Sequence, residues 1–209
     1  MKSLGNYNLF VTGTLSILPP FQLRKPMTFQ ELSLPGAFRI TFEKHTDERG
    51  SFVRTFCKKT FLEHNLHDDF KQDSLSFNIK KGTLRGLHYQ DPEPEVKLVQ
   101  CLQGEIYDVL VDMRKNSPTF GNWESILLKE GDLTALYIPQ GIAHGFQTLK
   151  SNTLLHYKIS EYYNPAAAQG IRWNDPMIAI EWPTKMNIII SERDASLPLF
   201  LTKKDTYAV

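Results

Sequence analysis

The densest chemistry in the chain lies in Gly82-Thr83-Leu84-Arg85-Gly86-Leu87-His88-Tyr89-Gln90. A histidine titrates near neutral pH, so His88 can take or release a proton under ordinary conditions. Arg85 precedes it by three positions. Residues two apart share a face in an extended chain, so Arg85 and His88 share one only if the chain bends, and Gly86 can supply the bend. A second glycine-framed histidine, His144, sits in Pro139-Gln140-Gly141-Ile142-Ala143-His144-Gly145-Phe146. Such a histidine suits a general base, a metal ligand or a core residue bonded to its neighbours. A metal would need three or four converging ligands, often H-x-H followed by Glu. No H-x-H occurs, and His45, His64, His67 and His156 fall in polar, helical or opposite-face positions. The expectation is no metal and no cofactor.

The elements that must hold these residues read mostly as strands. Phe38, Ile40 and Phe42 alternate with polar residues, a half-buried strand. Asp47-Glu48-Arg49-Gly50 reads as a turn, with a short strand over Ser51–Phe56 after it. Phe61, Leu62 and Leu66 have helical spacing, so Lys58–Leu66 predicts a short helix. Lys97–Met113 is a long β-type run with a hairpin-like break at Gly104. Further strands are expected at Leu133–Ile138, Phe146–Leu149, Thr153–Ser160 and Trp182–Ile190. Many short strands separated by turn signals predict an all-β fold, a jelly-roll β-barrel with short peripheral helices. Residues 1–26 read as an N-terminal extension or arm, and residues 27–209 as the barrel domain.

Composition narrows the partners. The chain has 209 residues, enough for one substantial core. Its formal net charge of +1 shows no basic excess, which argues against a general nucleic-acid binder. Any anionic ligand must be met by a few placed Arg and Lys residues. Leu9–Leu18 is apolar but diluted by Thr, Gly and Ser, and too short to span a bilayer. The two cysteines, Cys57 and Cys101, form no C-x-x-C pair and suit thiols in a reducing cytoplasm.

Taken together, the motifs resemble the dTDP-4-dehydrorhamnose 3,5-epimerase family. The resemblance rests on Gly82–Gln90, Lys97, Gly104–Val109, Val111–Arg114, Ser117–Gly121, Ile138-Pro139, Ala143–Phe146, Tyr157-Lys158, Tyr162-Tyr163, Trp173–Pro176, and Ser191 with Asp194. Their order and spacing match from about Phe38 to Pro198. The resemblance implies a cupin-type jelly roll, a homodimer and a metal-free site. It implies that His88 removes a proton from carbon, oriented by Asp194, and that Tyr157 returns a proton on the opposite ring face. Lys97 and Arg85 match cations near the sugar ketone, where they would stabilise an enolate. Arg49, Arg193 and His144 match substrate or diphosphate contacts, and Tyr163 an aromatic stacked on the base.

Each residue also has a structural reading. Tyr157 could be a core tyrosine bonded to backbone, Lys97 could pair with Glu93 or Glu95, and Asp194 could cap a turn. Asp108 and Asp112 read as structural acids. Two departures bear on the nucleotide. Arg54 stands where the family often has Glu, and Gln72-x-Ser74 where Gln-x-Asn is usual. Arg54 offers donors and no acceptor, which favours a CDP- or GDP-sugar over dTDP. The expected function is epimerisation at C3, C5 or both of a nucleoside-diphosphate 4-keto-6-deoxyhexose, in making deoxysugars for cell-surface polysaccharide. The alternatives are a C3-only epimerase, a ketoisomerase on the same scaffold, or a sugar-binding cupin without catalysis.

Overall fold

The structure is a computed structural model, and it describes residues 27–200. The arm expected over residues 1–26 lies outside the described residues. In chain order the elements are β1 (Met27–Glu31), β2 (Phe38–Phe42), β3 (Lys44–Asp47), β4 (Gly50–Val53), α1 (Lys58–Glu63), β5 (Gln72–Asn78), β6 (Leu84–Gln90), β7 (Lys97–Gln103) and β8 (Glu105–Asp112). There follow β9 (Trp123–Lys129), β10 (Thr134–Ile138), β11 (Ile142–Thr148), β12 (Thr153–Ile159), β13 (Ala168–Gly170) and α2 (Glu192–Ala195). One sheet has the order β1-β2-β10-β7-β12-β5 and a second β13-β6-β11-β8-β9, with β3 and β4 forming a separate hairpin. The two sheets face each other as a cupin-type jelly roll.

Three apolar clusters explain the layering. Val99, Cys101 and Leu155 of the first sheet pack against Ile106, Leu110 and Phe146 of the second, filling the space between them. The outer face of the first sheet is covered by α1 and its flanks, where Phe61 packs near Ile40, Leu98 and Tyr137. C-terminal segments cover the second sheet, with Trp182, Ile171 and Ile178 against Leu84, Val109 and Val111. Strands β10 and β11 are therefore buried on both faces. That burial accounts for the apolar run Ala135–Ile138.

Several expectations change. Gly104 does not turn a hairpin, because β7 and β8 belong to different sheets. The chain crosses from one wall to the other there, and a Cβ on Gly104 would come within 2.4 Å of the Thr153 hydroxyl. The strand expected from Phe146 begins at Ile142, which places His144 on it. Trp182–Ile190 forms no strand, only an isolated bridge between Thr83 and Ile189; its apolar residues serve as a lid on the second sheet. Strands β5 and β9 are among those with no expected counterpart. On β5, Leu75 and Phe77 are exposed, so no alternation marks a buried apolar face. On β9, Ile126 and Leu128 do alternate inward.

Candidate active site

Register brings the two glycine-framed histidines together, with His88 on β6 directly opposite His144 on β11. Beyond them Arg85 is opposite Phe146, so three steps along β6 match two along β11. This bulge turns Arg85 and His88 to one face, as the sequence required. Gly86 sits in it at φ +103°, and a Cβ there would lie 2.6 Å from the His144 carbonyl oxygen. Only glycine accepts both the backbone angle and the contact.

His88 Nε2 stands 2.8 Å from Asp194 Oδ1. Asp194 lies in α2, where Ser191, not Asp194, is the cap. The second Asp194 oxygen accepts the Gly86 N–H at 3.0 Å. Burial works against this charge, but the bonds from His88 and Gly86 outweigh it and hold the carboxyl below its ordinary value. The carboxylate is thus ionised at neutral pH and fixes the imidazole. With Nε2–H donated to it, Nδ1 keeps the free lone pair.

A second pair lies deeper. His144 Nε2 is 2.9 Å from Asp108 Oδ2. Asp108 is fully buried, and its Oδ1 has no hydrogen-bond partner among the described residues. Burial pushes its carboxyl up from the ordinary value, with His144 only partly offsetting that. Asp108 keeps its reading as a structural acid, with His144 as its partner. Asp112 keeps that reading, since it accepts from Arg114, Ser117 and Thr119.

Tyr157 comes from β12 on the opposite sheet. Its ring meets His144 edge-on, with centroids 6.0 Å apart. Burial, and then the Asp108 carboxylate, push its phenol well above the ordinary tyrosine value. Among the described residues its hydroxyl has no hydrogen-bond partner, so it is not a core tyrosine tied to backbone. Lys97, on β7, pairs with Glu95. Both side chains are nearly buried, at 12% and 6% exposure, so this is an internal ion pair and not a surface one.

These side chains line two joined compartments between the sheets. The inner one, about 400 Å³, has Ser74, Arg85, His144, Tyr157 and Asp194 in its wall. The outer one, about 210 Å³, has Gln72, Gln90, Glu95 and Tyr163. His88, Lys97, Ile159 and Arg193 line both. Asn78 accepts the Arg85 Nε–H at 2.8 Å. Gln72 Oε1 accepts the Tyr163 N–H at 3.0 Å, and Arg193 reaches the Tyr163 hydroxyl at 3.4 Å, leaving an exposed aromatic face at the mouth. Ser74 thus falls beside Tyr157 in the inner compartment, away from Tyr163.

Two expected residues are not brought in. Arg49 sits at the tip of the β3–β4 hairpin, paired with Asp47 at 2.5 Å and 85% exposed. Arg54 is exposed. Neither lines either compartment of this chain. The sequence offered Glu95 only as a possible partner of Lys97 and Asp108 only as a structural acid, and it gave Gln90 and Asn78 no role of their own.

From facing walls of the jelly roll, the Asp194-paired His88 and the Tyr157 phenol line one compartment. Residues 31–202 match the family model described as dTDP-4-dehydrorhamnose 3,5-epimerase, and the chain belongs to that family of isomerases. The protein of that name from Methanothermobacter thermautotrophicus is 45% identical, covering 79% of this chain and 90% of its own. A crystal structure of the Bacillus anthracis epimerase with TDP and PPi bound is 39% identical, with a TM-score of 0.80, covering 83% of this chain and 99% of that one. The Legionella pneumophila enzyme in complex with dTDP-4-keto-L-rhamnose is 38% identical, with a TM-score of 0.79, covering 83% and 92%. No helix among the described residues is long and apolar enough to cross a membrane.

Proposed function

We propose that this enzyme inverts C3 and C5 of a dTDP-linked 4-keto-6-deoxyhexose. The observation that carries the reading is the placement of His88 and Tyr157 on opposite sheets across one compartment. Inversion needs a base on one face of the sugar ring and an acid on the other. His88 Nδ1 takes the proton from the carbon beside the ketone; the C–H electron pair forms a double bond from that carbon to C4, and the C4=O π pair moves onto the oxygen, giving an enolate. Lys97 and Arg85 supply positive charge for that oxygen. Tyr157 then gives its proton to the carbon from the other side, and solvent restores the phenol. Asp194 stabilises the imidazolium formed in the first step. Tyr163, with Gln72 and Arg193 behind it, offers a stacking face for the base at the outer mouth.

The expectation of a CDP- or GDP-sugar is withdrawn. It rested on Arg54, which lines neither compartment, and the related structures described above carry TDP or a dTDP-sugar. We also propose a homodimer in which the β3–β4 hairpin brings Arg49 to the neighbour's cleft. Support comes from the unpacked hairpin, where Phe52 is 66% exposed, and from Leu75 at 66% on edge strand β5. The free thiols Cys57 and Cys101 suit work in a reducing cytoplasm, in deoxysugar synthesis for surface polysaccharide.

The test is incubation with dTDP-, CDP- and GDP-4-keto-6-deoxyhexoses in D₂O, with deuterium read at each carbon by NMR. Incorporation at both C3 and C5 of the dTDP sugar is expected. Label at C3 alone would make the protein a monoepimerase, and no label with any sugar would leave a binding protein.

A further inference from the structure

We propose that Glu95 is a positioning residue that holds the Lys97 ammonium where the enolate oxygen forms. Glu95 precedes Lys97 by two residues, at the start of β7. It is 8% exposed, and one carboxylate oxygen bonds the Lys97 ammonium. The other oxygen, Oε2, is buried and has no partner among the described residues. That arrangement is costly: a buried carboxylate normally fills its acceptor sites or is replaced by something neutral. Packing does not explain it, because the backbone next to it is held separately, with the Val96 N–H donating to Ser160 Oγ at 2.8 Å. Among the described residues, the one bond Glu95 makes with its side chain is to Lys97, which lines both compartments.

The chemistry gives that bond a use. A lysine ammonium sits on a flexible four-carbon stem with three donors. Left alone in the cleft it could occupy several positions, and stabilisation of a developing oxyanion depends on a donor already in place. Glu95 takes one donor, fixes the stem against β7, and leaves the remaining donors facing the cavity. The nearest comparable device in the site is the Asp194 carboxylate, which does for the His88 ring what Glu95 does for Lys97. The inference rests on the proposed role of Lys97.

Four variants test it: Glu95→Gln, Glu95→Ala, Lys97→Ala and the double Glu95→Ala/Lys97→Ala. Epimerisation of a dTDP-4-keto-6-deoxyhexose gives kcat and KM, and crystals of the wild type and Glu95→Ala give the Lys97 Nζ position. Glu95→Ala is expected to lower kcat about 10²-fold with little change in KM, the scale of misplacing one group by about an ångström. Glu95→Gln keeps an acceptor oxygen and should recover activity to within about tenfold. In the Lys97→Ala background, adding Glu95→Ala should change kcat less than threefold or so, because the two act as one unit. Lys97 unmoved in Glu95→Ala crystals, or equal losses from Glu95→Ala with and without Lys97, would overturn the inference. Full activity of Lys97→Ala would instead sink the role given to Lys97, while the crystals still decide whether Glu95 places it.

Discussion

His88 and His144 face each other as register partners across β6 and β11, and the Nε2 of each is hydrogen-bonded to a different buried carboxyl group, Asp194 at 2.8 Å and Asp108 at 2.9 Å. The two pairs are not equivalent. Asp194 is held ionised by two hydrogen bonds, whereas burial favours a proton on Asp108. The first pair is built to support charge on its histidine. The second lies against Tyr157 and shapes the floor of the cleft.

From this asymmetry, His88→Asn should abolish deuterium exchange into the sugar while leaving the melting temperature close to that of the wild type. Asp194→Asn should lose less, within the roughly 10²–10⁴-fold range of general base catalysis, because a disoriented imidazole still accepts protons. Exchange near the wild-type rate in His88→Asn would remove His88 as the base.

Gly86→Ala should damage fold and activity together. The new methyl would be 2.6 Å from the His144 carbonyl oxygen and 2.7 Å from Gly145 Cα, both backbone. The φ of +103° adds strain of its own, of order 1–3 kcal/mol. A drop in stability of about 2 kcal/mol or more by urea denaturation is expected, with loss of exchange as the bulge and the Asp194 contact shift. A stable, active Gly86→Ala protein would mean the bulge does not set the site.

Acid should weaken the fold through Asp112. Burial opposes its charge, but Arg114, Ser117 and Thr119 outweigh that and hold its carboxyl at about 2, against 3.8 unperturbed. A depressed folded value means the stabilisation is complete above the unfolded value and disappears as pH falls through the folded one. The contribution is about 2 kcal/mol at neutral pH, lost between about pH 4 and pH 2. Asp112→Asn should be less stable at pH 7 and flatter in that window, measured by denaturant midpoints across the range.

Activity should survive exhaustive dialysis against a chelator. Among the described residues no three His, Cys, Asp or Glu side chains converge as a metal site needs, and Lys97 and Arg85 line the compartment as sources of positive charge for an enolate. Loss of exchange with EDTA, restored by a divalent ion, would assign that role to a metal instead.

The sequence by itself determined the class of fold and brought forward the segment that carries His88. The Gly82–Gln90 motif, with His88, Arg85 and the bend at Gly86, needed no neighbours to be read, because a glycine between two residues of opposite parity has a local meaning. Alternation showed which residues of β2, β8 and β12 point inward, since side chains change face at every step. Parity does not say which strand lies alongside. Only the tertiary structure decided that Asp108 meets His144, that Gly104 moves the chain between sheets, and that Ser74 faces Tyr157 in the inner compartment. For Glu95 the sequence offered only an ion pair with Lys97, since a Glu two residues from a Lys is ordinary until both are buried. The same holds for Arg54, whose donors suggested a nucleotide in sequence but which the fold leaves outside the cleft. Pairing across 36 residues for His144 and 106 for His88 is set by the packing of two sheets against each other, and no local pattern encodes it.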